Sequence, residues 1–205
     1  MQPLIIIEFV IMFIGLPLVF YLEFFPIPKL LILFVITIYC VVILIRQRVF
    51  RTTEPTVSRK SYLKKILRRF VLLSVVLLLI TLVLSPKTFF VLPRQRTALW
   101  LVILFLYPLL SAFPQELIYR MFFFHRYASI FKSSTLMIIT SVLTFGFLHI
   151  IYHNIPAIIF SLTGGYLFAK TYHESRSLLL VSFEHAIYGA FIFTVGLGQF
   201  FYEKF

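Results

Sequence analysis

Apolar residues in this chain do not alternate with polar ones. They run together for the length of a bilayer-crossing helix and are broken by short polar or proline-bearing stretches. A spanning helix needs roughly 17–25 mainly apolar residues. Runs that meet this need lie at 3–25, 29–45, 70–86, 98–113, 134–151, 155–171 and 177–201. An eighth, 115–131 (QELIYRMFFFHRYASIF), has an apolar centre but carries Glu116, Arg120, His125 and Arg126. Lipid satisfies no bare backbone group, so the pattern predicts helices with short connections. The expected class is all-α: a polytopic helical membrane protein with seven to eight transmembrane helices.

Composition agrees. Of 205 residues, 61% are hydrophobic and only 13% charged, where soluble domains carry about 25% charged residues. No polar segment is large enough for a separate soluble domain, so residues 1–205 read as one integral membrane domain. The net charge of +12 raises nucleic acid as a partner, but its distribution argues against it. Nine of the 19 cations fall in the segment 46–69, whose only acid is Glu54. A basic segment beside membrane helices is expected to be a cytoplasmic loop resting on anionic lipid. The expected partners are therefore membrane lipid and a membrane-associated peptide or protein, with no nucleic acid. The single cysteine, Cys40, sits in an apolar run and has no thiol partner in the chain. The first segment lacks a basic leader and a small-residue cleavage site, so it reads as a retained helix. A bacterial inner membrane fits a short chain without an organelle signal.

Two arguments pull the topology in different directions. With 115–131 lying on the inner surface, seven helices cross, and 14 of the 19 cations fall inside, as the positive-inside rule prefers. Helix 134–151 would then run outward and carry His149 about 22 Å from the inner surface, at 1.5 Å per residue. Glu116 would stay at that surface, out of reach. With eight crossings the two residues share one depth. The depth argument favours eight, with Pro114 at the first position of the eighth helix, where its missing N–H costs nothing.

Charged side chains inside a bilayer cost about 2.5–3.5 kcal/mol each on insertion scales, so each calls for a partner or a task. Glu8, Glu116, Arg120, His149 and His185 stand out, with Glu184 beside His185. In AFPQELIYR, Glu116 and Arg120 are four residues apart, on one helix face. They suit a structural ion pair as well as a chemical site. His149 follows Phe145 by one helical turn, and His185 lies on another helix. A carboxylate and two imidazoles activate water in either of two ways. They can bind Zn²⁺, which lowers the pKa of its water. Or the carboxylate can act as a general base without metal. Periodicity leaves both open. His125, His153 and His173 sit in polar or interfacial surroundings.

At these residues the chain resembles the CPBP intramembrane proteases, the group that contains the type II CAAX prenyl endopeptidases and bacteriocin-processing proteins. The motifs matched are Gln115-Glu116-x-x-x-Arg120, Phe145-x-x-x-His149 and His185-x-x-x-Gly189. The resemblance covers roughly residues 95–195, while 1–90 match only as generic membrane helices. It implies a helical membrane domain with a polar cavity that cleaves peptide bonds at the membrane. Glu116 and His149 would activate water, Arg120 would tune the carboxylate, and His185 would bind the oxyanion. The family is described with either a metal-free glutamic mechanism or a metal, so zinc remains the alternative to no cofactor. Two positions depart from the pattern. Gln115 stands where the family has its first, catalytic Glu, and Gly189 stands where it has Asn. Either Glu116 takes over as base, with Glu184 a neighbour that could compensate, or the chain is a non-catalytic relative that binds a membrane partner.

Overall fold

The computed structural model describes residues 2–24, 28–52 and 57–202. Phe25 at the end of the first apolar run, Glu54 in the basic segment and Lys204 lie outside them. Seven long helices account for most of the described chain. They are α1 (Pro3–Tyr21), α2 (Lys29–Arg46), α3 (Arg59–Leu84), α4 (Thr97–Arg126), α5 (Ser134–Tyr152), α6 (Ile155–Ser175) and α7 (Leu178–Val195). All but α6 are long and apolar enough to cross a membrane. The apolar pattern of α6 is broken by Ser161, Thr163, Lys170, Thr171 and Glu174. The bundle's outer surface is apolar, with Phe105, Leu109, Leu72 and Val83 exposed. Such a surface is stable against hydrocarbon and not against water. The protein is an integral membrane protein, all-helical among its described residues.

The separate eighth crossing does not form. The stretches 98–113 and 115–131 merge into α4, a continuous helix of 30 residues. Pro114 lies inside it rather than at a start. A proline in a helix interior removes one hydrogen bond and crowds the carbonyl four residues back. Here wider π-type turns at Pro108–Ala112 and Leu117–Phe122 flank it and absorb the misfit. At 1.5 Å per residue α4 is about 45 Å long, the full thickness of a bilayer with its headgroups. Glu116 is then about 15 Å back from the Arg126 end and His149 about 22 Å along α5, between one and two helical turns apart in depth. The depth conflict came from cutting one helix into two.

The basic segment 46–69 is not a loop throughout. α3 begins at Arg59, well before the apolar run at 70–86. Lys and Arg are good helix formers, and this first part of α3 is amphipathic. Tyr62 and Ile66 are buried with Leu180 of α7. Lys65 pairs with Glu174 of α6 at 2.6 Å, and the Tyr62 hydroxyl donates to the same carboxylate. Arg69 pairs with the buried Glu184 of α7, which also accepts from Thr171 of α6.

α5, α6 and α7 are each capped. The side chains of Ser133, Asn154 and Ser177 accept hydrogen bonds from the backbone N–H of Leu136, Ala157 and Leu180, which satisfies donors that a helix start leaves orphaned. α7 ends at Gly196, whose φ of 112° suits glycine, and a Cβ there would run into the Thr88 carbonyl.

Glu8, whose partner the sequence did not name, is held by the far end of α4. Arg126 donates to both of its oxygens at 2.8 and 3.0 Å, and Tyr127 and Tyr39 add hydroxyl donors. Beside it, Phe9, Phe13, Phe123 and Tyr127 pack edge to face and fasten α1 to α4. The pair is part-buried, so removing one member strands the other at a cost below the about 3–5 kcal/mol of a fully buried pair. Arg126→Met should therefore lower the unfolding temperature in detergent, and Glu8→Gln/Arg126→Met should recover much of the loss. Equal losses in the single and double variants would deny the pairing.

Candidate active site

The centre of the bundle holds a polar cluster in an apolar surround. Glu116 and Arg120 of α4 are both fully buried, and Glu116 Oε2 stands 3.2 Å from Arg120 Nε. The contact is an ion pair without hydrogen-bond alignment. The other nitrogens of the guanidinium are well used. Nη1 donates to the Ser141 hydroxyl of α5 at 2.7 Å and to the Tyr119 carbonyl, and Nη2 donates to the Gly165 carbonyl of α6. Its plane lies over the Phe145 ring, 4.9 Å from the centroid, a favourable place for a cation. Arg120 thus ties three helices together.

Glu116 passes the connection to a fourth. Its Oε1 is 2.8 Å from Nδ1 of His185 on α7. A carboxylate in an ion pair accepts and does not donate, so Nδ1 carries the proton. The other ring nitrogen, Nε2, lies 2.9 Å from the Tyr107 hydroxyl. The His185 ring is stacked on Phe168 at 4.5 Å. The result is a fixed chain, Arg120–Glu116–His185–Tyr107, running from the core to a cavity.

That cavity has a volume of about 310 Å³. Tyr107, Gln115, His149, His185 and Gly189 line it among apolar residues of α3, α6 and α7. A second cavity of about 150 Å³, between α1, α2 and the core, shares Ser111, Gln115, His149 and Tyr152 with the first. His149 Nδ1 is 2.8 Å from the Phe145 carbonyl. A carbonyl only accepts, so Nδ1 is the protonated nitrogen of the neutral ring. Nε2 keeps its lone pair, on a side chain that lines both cavities.

The sequence-predicted residues therefore fall into three positions. Gln115, His149, His185 and Gly189 reach the cavity. Glu116 and Arg120 lie behind it: Glu116 lines neither cavity, its Oε1 is held by His185 and its Oε2 faces Arg120, so it stands away from the space where a water would attack. Glu184 is not brought to the site. It belongs to the Arg69–Thr171 group that docks α3. Phe145 is the packing element of its motif, with Arg120 on one side and the His149 ring 4.9 Å away. Gln115 donates from Nε2 to Ser111 Oγ at 2.8 Å, and its Oε1 is buried with no partner among the described residues. Helix geometry explains the division, because adjacent positions point about 100° apart. One of two neighbouring side chains faces the cavity and the other faces Arg120.

Zinc does not fit this arrangement. Both ring nitrogens of His185 are taken, by Glu116 and by Tyr107, and one oxygen of Glu116 faces Arg120. Among the described residues no three His, Cys, Asp or Glu side chains gather closely enough to hold an ion.

Tyr107 and Ser111 escaped the sequence reading. Both sit on α4 upstream of Gln115, Ser111 one turn before it and Tyr107 two turns before it. A tyrosine and a serine amid FLYPLLSAF were the available signal, but neither carries a charge that the membrane makes conspicuous.

A buried carboxylate, two histidines and a cavity within a helical membrane bundle define the class: an integral membrane protein with a polar site enclosed among its helices. Residues 97–191 match the family described as Rce1-like, type II CAAX prenyl endopeptidase Rce1-like. The resemblance to the CPBP proteases carried by the three motifs is thus shown over this segment, and that family is a protease family. No curated protein and no solved structure matches the chain.

The Arg120 cluster makes a sharp demand. Arg120→Met strands the Glu116 carboxylate and should cost about 3–5 kcal/mol of stability. Arg120→Lys should recover little, since an ammonium cannot reach Ser141, Gly165 and Glu116 together. Thermal unfolding of the purified protein in detergent measures both, and a Lys variant as stable as wild type would refute the three-helix role.

Proposed function

We propose that the protein is an intramembrane endopeptidase that hydrolyses peptide bonds of membrane-associated proteins or peptides, with CAAX-type processing suggested by the family. The observation that carries this reading is His149, whose Nδ1 is held by the Phe145 carbonyl while Nε2 remains a base at the cavity wall.

The chemistry runs as follows. A water in the cavity donates one proton to His149 Nε2, on the wall that Gln115 also lines. The water oxygen bonds to the carbonyl carbon, and the carbonyl oxygen takes the electron pair as an oxyanion. The C–N bond then breaks, and the proton on His149 passes to the leaving amine. The products are a carboxylic acid and an amine. In this scheme Glu116 is a positioning residue. It fixes the ring and tautomer of His185 instead of meeting the water, much as a buried carboxylate orients the histidine in other hydrolytic triads. The base role that Gln115 cannot fill goes to His149, one helix away. A bacterial inner membrane, with the basic segment 46–69 towards the cytoplasm and anionic lipid, fits the charge distribution.

A second reading is favoured by one observation. The cavity-facing member of the Gln115–Glu116 pair is the amide, so the fold could bind a membrane partner without cutting it. Comparing peptide N-termini in membranes of cells that express wild type or His149→Ala separates the two. N-termini present only with wild type are the expected result and identify substrates. Identical profiles from two folded, equally expressed proteins would support the binding reading and overturn the endopeptidase.

A further inference from the structure

Position 189 follows His185 by one turn of α7, so both face the same way into the cavity. Glycine there does more than omit a side chain. A Cβ at 189 would collide with the Tyr107 ring carbon Cε1 and with its hydroxyl oxygen. The phenol of Tyr107 therefore occupies the space that a side chain on residue 189 would need. It is held there by His185 Nε2 at 2.9 Å, and its ring packs edge-on against His185 and Phe193. Tyr107 and Gly189 form a matched pair, each requiring the other.

We propose that Tyr107 is a catalytic residue of this site, its hydroxyl donating a hydrogen bond to the carbonyl oxygen of the peptide bond under attack from the space that Gly189 leaves open. The assignment rests on the endopeptidase reading above. The phenol lines the cavity together with His149 and Gln115, so it faces the same enclosed space as the attacking water. Its oxygen lies 2.9 Å from His185 Nε2, and its ring is held edge-on by His185 and Phe193. A neutral ring accepts from the phenol at Nε2. The phenol has one proton, so with a peptide bound the hydroxyl turns about its C–O bond and donates to the carbonyl oxygen instead. Glu116 and Arg120 hold His185, so the whole buried chain serves to place one hydroxyl. A donor preset where negative charge develops lowers the barrier without reorganisation.

The test uses the full-length protein in cell membranes and the wild-type-specific N-termini as readout. Tyr107→Phe keeps the ring and removes only the hydroxyl. It should slow the appearance of those peptides by about 10²–10³-fold, the usual cost of one oxyanion donor. Tyr107→Ala should be as slow. Tyr107→Ala/Gly189→Asn opens the space and supplies an amide donor in it, and should regain about tenfold or more over Tyr107→Ala, a return of part of that donor's contribution. Tyr107→Phe cleaving at the wild-type rate, while His149→Ala is silent, would overturn the tyrosine assignment and leave the endopeptidase standing. A double variant no faster than Tyr107→Ala would also overturn it, by making the phenol a packing element. An absence of wild-type-specific peptides would overturn the endopeptidase and this assignment with it.

Discussion

A guanidinium buried in a bundle of hydrocarbon side chains must be surrounded by acceptors, and the acceptors that Arg120 finds set the geometry of the rest. A lone charge at mid-membrane is costly, and an ion pair repays desolvation only when the remaining donors are satisfied as well. Arg120 meets this by reaching Glu116 on its own helix, Ser141 on α5 and the Gly165 carbonyl on α6. Phe145 covers its face. Three helices are thereby drawn to one point, and the carboxylate that neutralises the arginine has an oxygen left over for His185 on a fourth. The polar chain that ends at the cavity follows from satisfying one cation.

The same reasoning explains why α3 stays attached. Its apolar part faces mainly outward, as Val71, Leu72, Val75 and Leu79 show by their exposure. Its basic end buries Tyr62 and Ile66 against Leu180 and adds polar contacts: Lys65 and Tyr62 on Glu174, and Arg69 on Glu184 and Thr171. Glu184 is next to His185 in sequence and points elsewhere for the reason that separates Gln115 from Glu116. One of each adjacent pair serves the cavity and the other holds the fold.

Much of this could be read from the sequence, because the membrane makes charge conspicuous. Glu116, Arg120, His149 and His185 stood out against apolar runs, and the spacing of Glu116 and Arg120 announced the pair. What could not be read were consequences of direction and curvature. The π-type turns that let Pro114 sit inside α4 leave no mark on hydropathy, so one helix looked like two. The basic residues of 59–69 looked like a loop because positive charge hid the Tyr62 and Ile66 face beneath it. Whether Gln115 or Glu116 meets the cavity depends on the rotation of α4, which Arg120 fixes through contacts with α5 and α6. Tyr107 carries no charge, and its partner is a glycine, so nothing in the chain linked the two.

The buried carboxylate acts through His185, and the proton of water goes to His149, in the mechanism proposed above. Cleavage by Glu116→Gln compared with His149→Ala tests it most directly. A glutamine at 116 loses the charge but still offers an oxygen to His185 Nδ1. Glu116→Gln leaves Arg120 without its counter-ion and should be less stable, yet its folded molecules should keep measurable cleavage of the wild-type-specific peptides while His149→Ala falls to background. Cleavage that survives in His149→Ala and vanishes in Glu116→Gln would contradict it and make Glu116 the base.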